Sequence, residues 1–359
     1  MALISVLYFL VVCALTIAAV AFAQRSATRN ALATANGAQL LAAADGAVHA
    51  SLGAWSPARA RQAIGSSIVV AAPVTAGMST TVYITRITAR VFSIVGEARL
   101  GSGGPARRVS LLVRAPVESR RLRGALVSAV DVSIGPDVRF VADRIVCEDT
   151  TSYGLTIAPG ASLTLDAGIP PAAQPSVLRD SAATDSTSYL RVGDSWWSDL
   201  ARRADIRIAG SSHTTPGPSV VGNRCIPGDA NWGDPSAPAS ACADRAPLVY
   251  VPGDLTIDGG AGQGVLLVDG HLAITGPFTY SGQIVARRGI ETRADNITIS
   301  GVVYAWRAGT DSVTSRAIVS DVVLTHATTL RRSGCDAQHG IASWQHPQRM
   351  RERAWTELF

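Results

Sequence analysis

The chain contains no lysine, so all 32 of its basic residues are arginine. They exceed the 27 acidic residues for a net charge of +5, yet they are scattered through apolar segments and gather in no block. That distribution argues against a nucleic-acid partner and against an anionic-membrane face. Charged residues make up only 16% of the chain and aromatics 6%, while hydrophobic residues reach 47%, too apolar for wholesale disorder. Cysteine is scarce, with five in 359 residues, and no CxxC pair occurs. The six histidines (His49, His213, His271, His326, His339 and His346) form neither HExxH nor HxxxH. Both absences count against a structural zinc site. No proline precedes Pro57. Against these shortages stand 33 glycines and 18 prolines, the composition of many short strands and tight turns, in a chain long enough for more than one packed unit.

Residues 2–23 carry no charge, and Ser5 and Thr16 are their only polar side chains. As a helix these 22 residues would span about 33 Å, the thickness of a bilayer core. A cleaved signal peptide competes with this reading, since Ala21-Phe22-Ala23 has the small-x-small form of a cleavage site. The missing basic n-region and the length of the run favour a retained span. Leu32, Leu41, Val48, Leu52 and Trp55 continue the segment on an Ala-rich background, which predicts one helix of about 55 residues ending before Pro57. Arg25 and Arg29 follow the span and by charge alone would place the head inside, whereas paired cysteines in a strand-rich head favour the outside.

The segment RSATRNALATANGAQLLAAADGAVHASLGAW, residues 25–55 after an apolar start, resembles the stem of type IV pilus assembly proteins of the PilX minor-pilin kind. Asp45-Gly46-Ala47 stands where that family has an acidic residue before a Gly-Ala turn, and Ser5 stands where major pilins have glutamate. The resemblance implies a membrane stem carrying a head outward, with other pilin-like subunits or assembly-platform proteins as partners.

Thr80–Thr88, Arg90–Leu100 and Arg107–Arg114 alternate apolar and polar residues across short joins, which predicts an antiparallel meander packed on the second half of the stem. From residue 248 another rhythm begins. Apolar segments start at residues 248, 265, 283, 301 and 317, with Gly or Asp turns between them, the spacing of a β-solenoid whose coils stack their inward aliphatics. Residues 125–146 have the same texture and are expected to form the first coil. The stretch 150–245 between them reads as a loop-rich insertion around one helix, Trp196–Ala204. Residues 223–235 and the Gly-rich stretch from Leu248 look like the carboxy-terminal half of proteins with PilX-like amino termini.

Each sign of chemistry has a plainer reading. Gly259–Gly264 (GGAGQG) lacks the Lys and Ser/Thr of a phosphate loop, since Val265-Leu266-Leu267 follow. Gly193-Asp194-Ser195 lacks the second glycine of a nucleophile elbow. Asp229 and Asp234 do not have the spacing of an EF-hand and read as turn residues. Asp254 and Asp269 are the nearest approach to carboxylates recurring at coil spacing. No catalytic residue, cofactor site or metal site is expected.

Cys13 lies in the apolar span. Cys147, Cys225, Cys242 and Cys335 then make an even set in the head, open to three pairings. Cys225 with Cys242 closes the shortest loop, and Cys147 with Cys335 would tie the first coil to the chain end. Trp344–Phe359 is expected to be a short helix capping the last coil.

The expected class is therefore α+β, with a pilin-like helix and antiparallel meander followed by a β-solenoid-like domain. The units are a stem (1–56), sheet (57–120), first coil (121–149), insertion (150–245), solenoid (246–325) and carboxy-terminal cap (326–359). The expected role is non-enzymatic, as a minor-pilin-like component anchored in the inner membrane with its head outside, or built into a pilus. A surface adhesin or glycan-binding solenoid and, further off, a polysaccharide-acting β-helix enzyme are the alternatives.

Overall fold

A computed structural model describes residues 2–56, 59, 62–71, 77–88, 90–101, 104–115, 124–142, 153–192, 195–306, 321–342, 348–350 and 355–358. Its first element is helix α1, Ala2–Gly53, whose 52 residues extend for about 78 Å. Among the described residues, only the carboxy-terminal part of α1, from about Leu40 on, packs closely on the rest of the protein. Leu40, Ala44, Ala47, Val48 and Ser51 are buried at spacings of four, three, one and three, one helical stripe, and Trp55 continues it just beyond the helix end. Leu32, expected on this stripe, is 58% exposed because it lies on the half that projects beyond the sheet.

That stripe rests on an antiparallel meander of β1 (Ser67–Ala71), β2 (Met78–Arg86), β3 (Val91–Leu100) and β4 (Ala106–Arg114). Val82, Ile84, Phe92, Ile94, Leu111 and Val113 alternate inward and form its core with Ala47, Val48 and Trp55. Leu40 and Ala44 pack with Ala98 and Val109, while Val48 and Trp55 pack with Phe92 and Val113, so α1 runs opposite to β3. The approach is close at Gly96, where a Cβ would lie 2.5 Å from the carbonyl oxygen of Ala44. The edge strand β1 is an addition to the three strands expected from sequence.

Beyond β4 the chain changes to parallel pairing. It lays down β5 (Gly124–Ser128), β6 (Val132–Ile134), β7 (Arg139–Ala142), β8 (Tyr153–Ile157), β9 (Leu163–Leu165) and β10 (Val177–Arg179). Here β8 pairs with β5, β9 with β6, and β10 with β8, all parallel. The chain then crosses to the opposite end of the same ladders and returns. Ile206–Arg207, Leu248–Val251, Gly260–Val268, Phe278–Ala286 and Ile297–Ala305 pair in turn, and the last of them meets β5 through Val303↔Leu126. Ser212–Thr214, Leu255–Ile257, Leu272–Ile274, Ile290–Thr292 and Val322–Leu324 form the second ladder, which closes on β6. Leu126, Leu155, Val249, Leu266, Ile284 and Val303 stack between the ladders with Ile257, Ile274, Ile290 and Leu324 in one apolar core.

Several expectations change in detail. In the stretch 125–146, expected to form the first coil, β5 and β6 join the ladders beside Ile297–Ala305 and Val322–Leu324, so spatial order departs from sequence order, and 143–146 lie outside the described residues. The segment beginning at 317 does not supply the next step of the first ladder, since Val322–Leu324 joins the second and 317–320 lie outside the described residues. The 150–245 insertion contributes ladder strands near its start, at Tyr153–Ile157, and in its middle, at Ile206–Arg207. At the carboxy terminus, Trp355–Leu358 and Gln348–Arg349 are strands paired antiparallel with β4, where a capping helix was expected. An open β4 edge with unpaired N–H and C=O groups is the physical reason such a strand is drawn in. The helix lies earlier, at Gly334–Ala342.

Glycine is required at one recurrent corner. Gly264, Gly282 and Gly301 are aligned by register with φ of 113°, 141° and 132°, and a Cβ on Gly282 would meet the Gly264 carbonyl. Helix Gly334–Ala342 lies against this corner through Gly340 and joins the two halves of the head. Its Gln338 Oε1 accepts from buried Arg86 at 2.8 Å, and Arg86 also donates to the Gln62 carbonyl at 2.7 Å. The ladders therefore meet the meander at the end where α1 stops.

Gly96→Val should undock part of α1 and lower unfolding stability by about 1–3 kcal/mol, read by chemical denaturation in detergent, whereas Gly46→Val, with open space at its Cβ position, should cost far less.

Candidate functional site

Among the described residues, no three His, Cys, Asp or Glu side chains converge to hold a metal. Gly260–Gly264 lies within a ladder strand and its corner, with Gly259 just before it. Asp254 Oδ1 accepts from the His271 amide at 2.8 Å, and Asp269 accepts from the Tyr250 hydroxyl and from Arg287, both at 2.6 Å. Those two carboxylates, expected at coil spacing, thus serve separate turns. Ser195 begins the two-residue strand Ser195–Trp196, while Gly193 and Asp194 lie outside the described residues. Asp229 offers its backbone carbonyl to Trp232 Nε1, and Asp234 Oδ1 accepts from the amides of Ser236 and Ala237. His49 sits by Asp45, His213 by Asp258 and His326 by Asp295, three separate neighbourhoods. His271 and His339 lie apart from these pairs, and burial pushes the His271 imidazole below its ordinary value despite Glu291 and Asp254 nearby. His346 lies outside the described residues.

The site with the strongest physical demand is the free half of α1. Residues 7–35 are exposed throughout except Cys13, which is half-buried; Leu7 is 64% and Phe22 76% exposed. An 18-residue window of the helix has a mean hydropathy of 2.2 and buries nothing in the rest of the chain. Thr16 returns its hydroxyl to the Cys13 carbonyl at 2.9 Å, which removes the polar group most at odds with an apolar environment. At about 25 cal/mol per Å² of apolar surface, such a helix is unfavourable in water. Cover by lipid or by other helices would remove that cost. Where α1 begins to dock, a groove of about 400 Å³ runs beside it, floored by Ala42, Gly46, Ala50 and Met78.

At the foot of the sheet Glu97 is nearly buried between Arg99 and Arg108, with Arg108 Nε at 2.6 Å. Burial works to raise its pKa, but the hydrogen bonds and charges of the two arginines outweigh it and hold the carboxyl below its ordinary range.

Cys225 and Cys242 are joined by a disulfide that ties the hairpin Val220–Cys225 to the loop beyond Trp232. Trp232 is fully buried, and its carbonyl accepts from the Gln263 amide as a ladder strand would. Gln263 Nε2 then donates to the carbonyls of Ala243 (2.6 Å) and Arg245 (2.9 Å). Cys335 is disulfide-bonded as well; Cys147 lies outside the described residues.

One constellation escaped sequence reasoning. Arg287 lies 5.5 Å from the rings of both Trp197 and Trp306, and it pairs with Asp269, to which Tyr250 also donates. It clamps helix Trp197–Arg203 of the insertion onto the ladder. Its members come from five separate segments, so no local spacing announces it.

Protein-family models give no match to the chain, and neither do curated proteins. Among solved structures, the crystal structure of the competence-associated pilin ComZ from Thermus thermophilus is similar at a TM-score of 0.20 and 10% identity, over 82% of this chain and 88% of that one. At that score nothing about this chain follows from it.

Replacing Cys225 and Cys242 together by serine should cost about 3 kcal/mol of folding stability for a loop of this size, measured by denaturation with and without reductant. For Glu97, whose folded-state pKa is depressed, the stabilising contribution is full above the unfolded value and is lost as pH falls through the folded value. Glu97→Gln should therefore flatten the acid side of the stability profile while lowering stability at neutral pH.

Proposed function

We propose that this chain is a structural or assembly component of a type IV pilus-like surface system, minor-pilin-like and non-enzymatic. Its stem is held in the inner membrane or a filament, and its head is displayed outside. The observation that carries this reading is the division of α1, with residues 7–35 left exposed, 7–23 of them an uncharged apolar run, while Leu40–Trp55 dock on the antiparallel sheet. The PilX-like resemblance of residues 25–55 supports it. The Cys225–Cys242 disulfide suits an oxidising compartment and so favours an external head over the orientation that Arg25 and Arg29 would set.

On this reading the two facing parallel ladders form a β-solenoid, a rigid spacer that carries the insertion away from the membrane. Its partners are other pilin-like subunits or assembly-platform proteins, reached through the stem, and the bilayer itself. A surface adhesin is the second reading. It is favoured by the disulfide-tied hairpin, which exposes Val220, Val221 and, just beyond it, Ile226 on one ribbon.

The test is the fate of residues 2–23. The protein should resist alkaline carbonate extraction from membranes, and amino-terminal sequencing of the mature form should find these residues retained. A mature start at Gln24 in a soluble fraction would sink the anchor.

A further inference from the structure

On the side of Ile206–Arg207 the ladders end in a segment that is not a coil. Residues 216–245 hold one short hairpin and no ladder strand, yet their main chain takes the place of one. The Pro216 carbonyl accepts from the Ala261 amide at 2.9 Å, and the Trp232 carbonyl accepts from the Gln263 amide at 2.8 Å. Strand Gly260–Val268 therefore meets carbonyls on this side where it meets Phe278–Ala286 on the other. Gly262 lies between Trp232 and its register partner Tyr280, and a Cβ there would be 3.0 Å from the Trp232 side chain and 3.4 Å from the Tyr280 ring. Trp232 thus fills the interior position that an aliphatic residue would fill in a further coil.

Little else holds this segment by burial. Between residues 217 and 245 the buried residues are Asn231, Trp232, Gly233, Cys242 and Ala243, and Trp232 is the only large apolar one. Val220, Val221 and Ile226 are exposed. Its hydrogen bonds gather around the Cys225–Cys242 bridge. Asn231 Nδ2 donates to the Ile226 carbonyl at 2.5 Å and lies 3.3 Å and 3.5 Å from the two sulfurs, while the Asn231 carbonyl accepts from Arg245 Nε at 2.8 Å. A segment with one large buried side chain opens at a lower free energy than ladders packed on stacked aliphatics. The bridge lies wholly inside the segment, so it restricts the opened segment without tying it to the ladders.

We propose that residues 216–245 are a redox-gated cap on the ladders. With Cys225–Cys242 closed, the cap covers the Ala261 and Gln263 amides; with the bridge reduced, it lifts from them while the ladders stay folded. The reductant is a dithiol. One of its thiolates attacks the sulfur of half-buried Cys225, the S–S bond breaks, and Cys242 departs as a thiolate beside the Asn231 amide and takes up a proton. The second thiol of the dithiol then closes its own disulfide, so two electrons and two protons pass to the cysteine pair. A chain not yet oxidised carries an uncapped ladder end, and the fold is completed where disulfides form. The proposal does not rest on the membrane-stem reading.

The test is hydrogen exchange of the full chain in detergent, read by mass spectrometry, with oxidised wild type compared to Cys225→Ala/Cys242→Ala. The double variant is used without reductant because Cys335 belongs to another bridge. Peptides reporting Ala261 and Gln263 should exchange about a hundredfold faster in the variant, the factor set by a closed loop of this size. Those reporting Arg293 and Trp306, whose amides donate to the Ile274 and Ala286 carbonyls, should be unchanged. Wild type treated with dithiothreitol should show the same rise at Ala261 and Gln263 and lose it on reoxidation. Unchanged exchange at Ala261 and Gln263 in the variant would overturn the proposal, because the bridge would then not hold the cap. An equal rise at Arg293 and Trp306 would overturn it as well, since segment and ladders would then open as one unit. Neither result bears on where the stem lies.

Discussion

A helix of 52 residues that buries only its second half imposes a condition on everything else in this protein. The exposed apolar part is costly to leave in water, and the docked part rests on a sheet that lets a helix backbone approach closely. Gly96 opposite Ala44 allows that approach at a single point, and the alternation of β2, β3 and β4 supplies the apolar floor around it. Packing of Leu40, Ala44, Val48 and Trp55 on β2–β4 thereby fixes the direction of α1 against the strands.

Attached to that sheet is a second construction held by a different rule. Parallel ladders gain stability by stacking like on like, and here the aliphatic positions and the corner glycines recur from one strand to the next, as in Gly264 under Gly282 under Gly301. The turns are tied individually, as where Asp254 accepts from the amide of His271. Where the stacking rule runs out, other devices take over. Trp232 and the Cys225–Cys242 bridge continue the ladder with a segment that has few aliphatics, and Arg287 between two tryptophans fastens the helix of the insertion. Between the two constructions, helix Gly334–Ala342 and the buried hydrogen bond from Arg86 to Gln338 act as the joint.

The topology makes the sheet discontinuous in sequence. Its first four strands end at Arg114 and its last strands begin at Gln348, with the whole ladder region between. The sheet is therefore completed only after the ladder region has been traversed, and the β4 edge is closed by the far end of the same chain.

What the sequence by itself determined is what depends on neighbours along the chain. An uncharged run without proline makes a helix of known length, alternation over Thr80–Thr88 and Arg107–Arg114 makes half-buried strands, and recurring Gly and Asp turns mark stacked strands near residues 248–305. The tertiary structure alone decided the pairings, because a strand records which of its faces is apolar but not which edge it will meet. β5 against Ile297–Ala305, Trp355–Leu358 against β4, and Arg287 among residues of five segments all join positions far apart in sequence. Each contact gains its energy only once the chain has been folded back, so no spacing in the sequence could carry its signature.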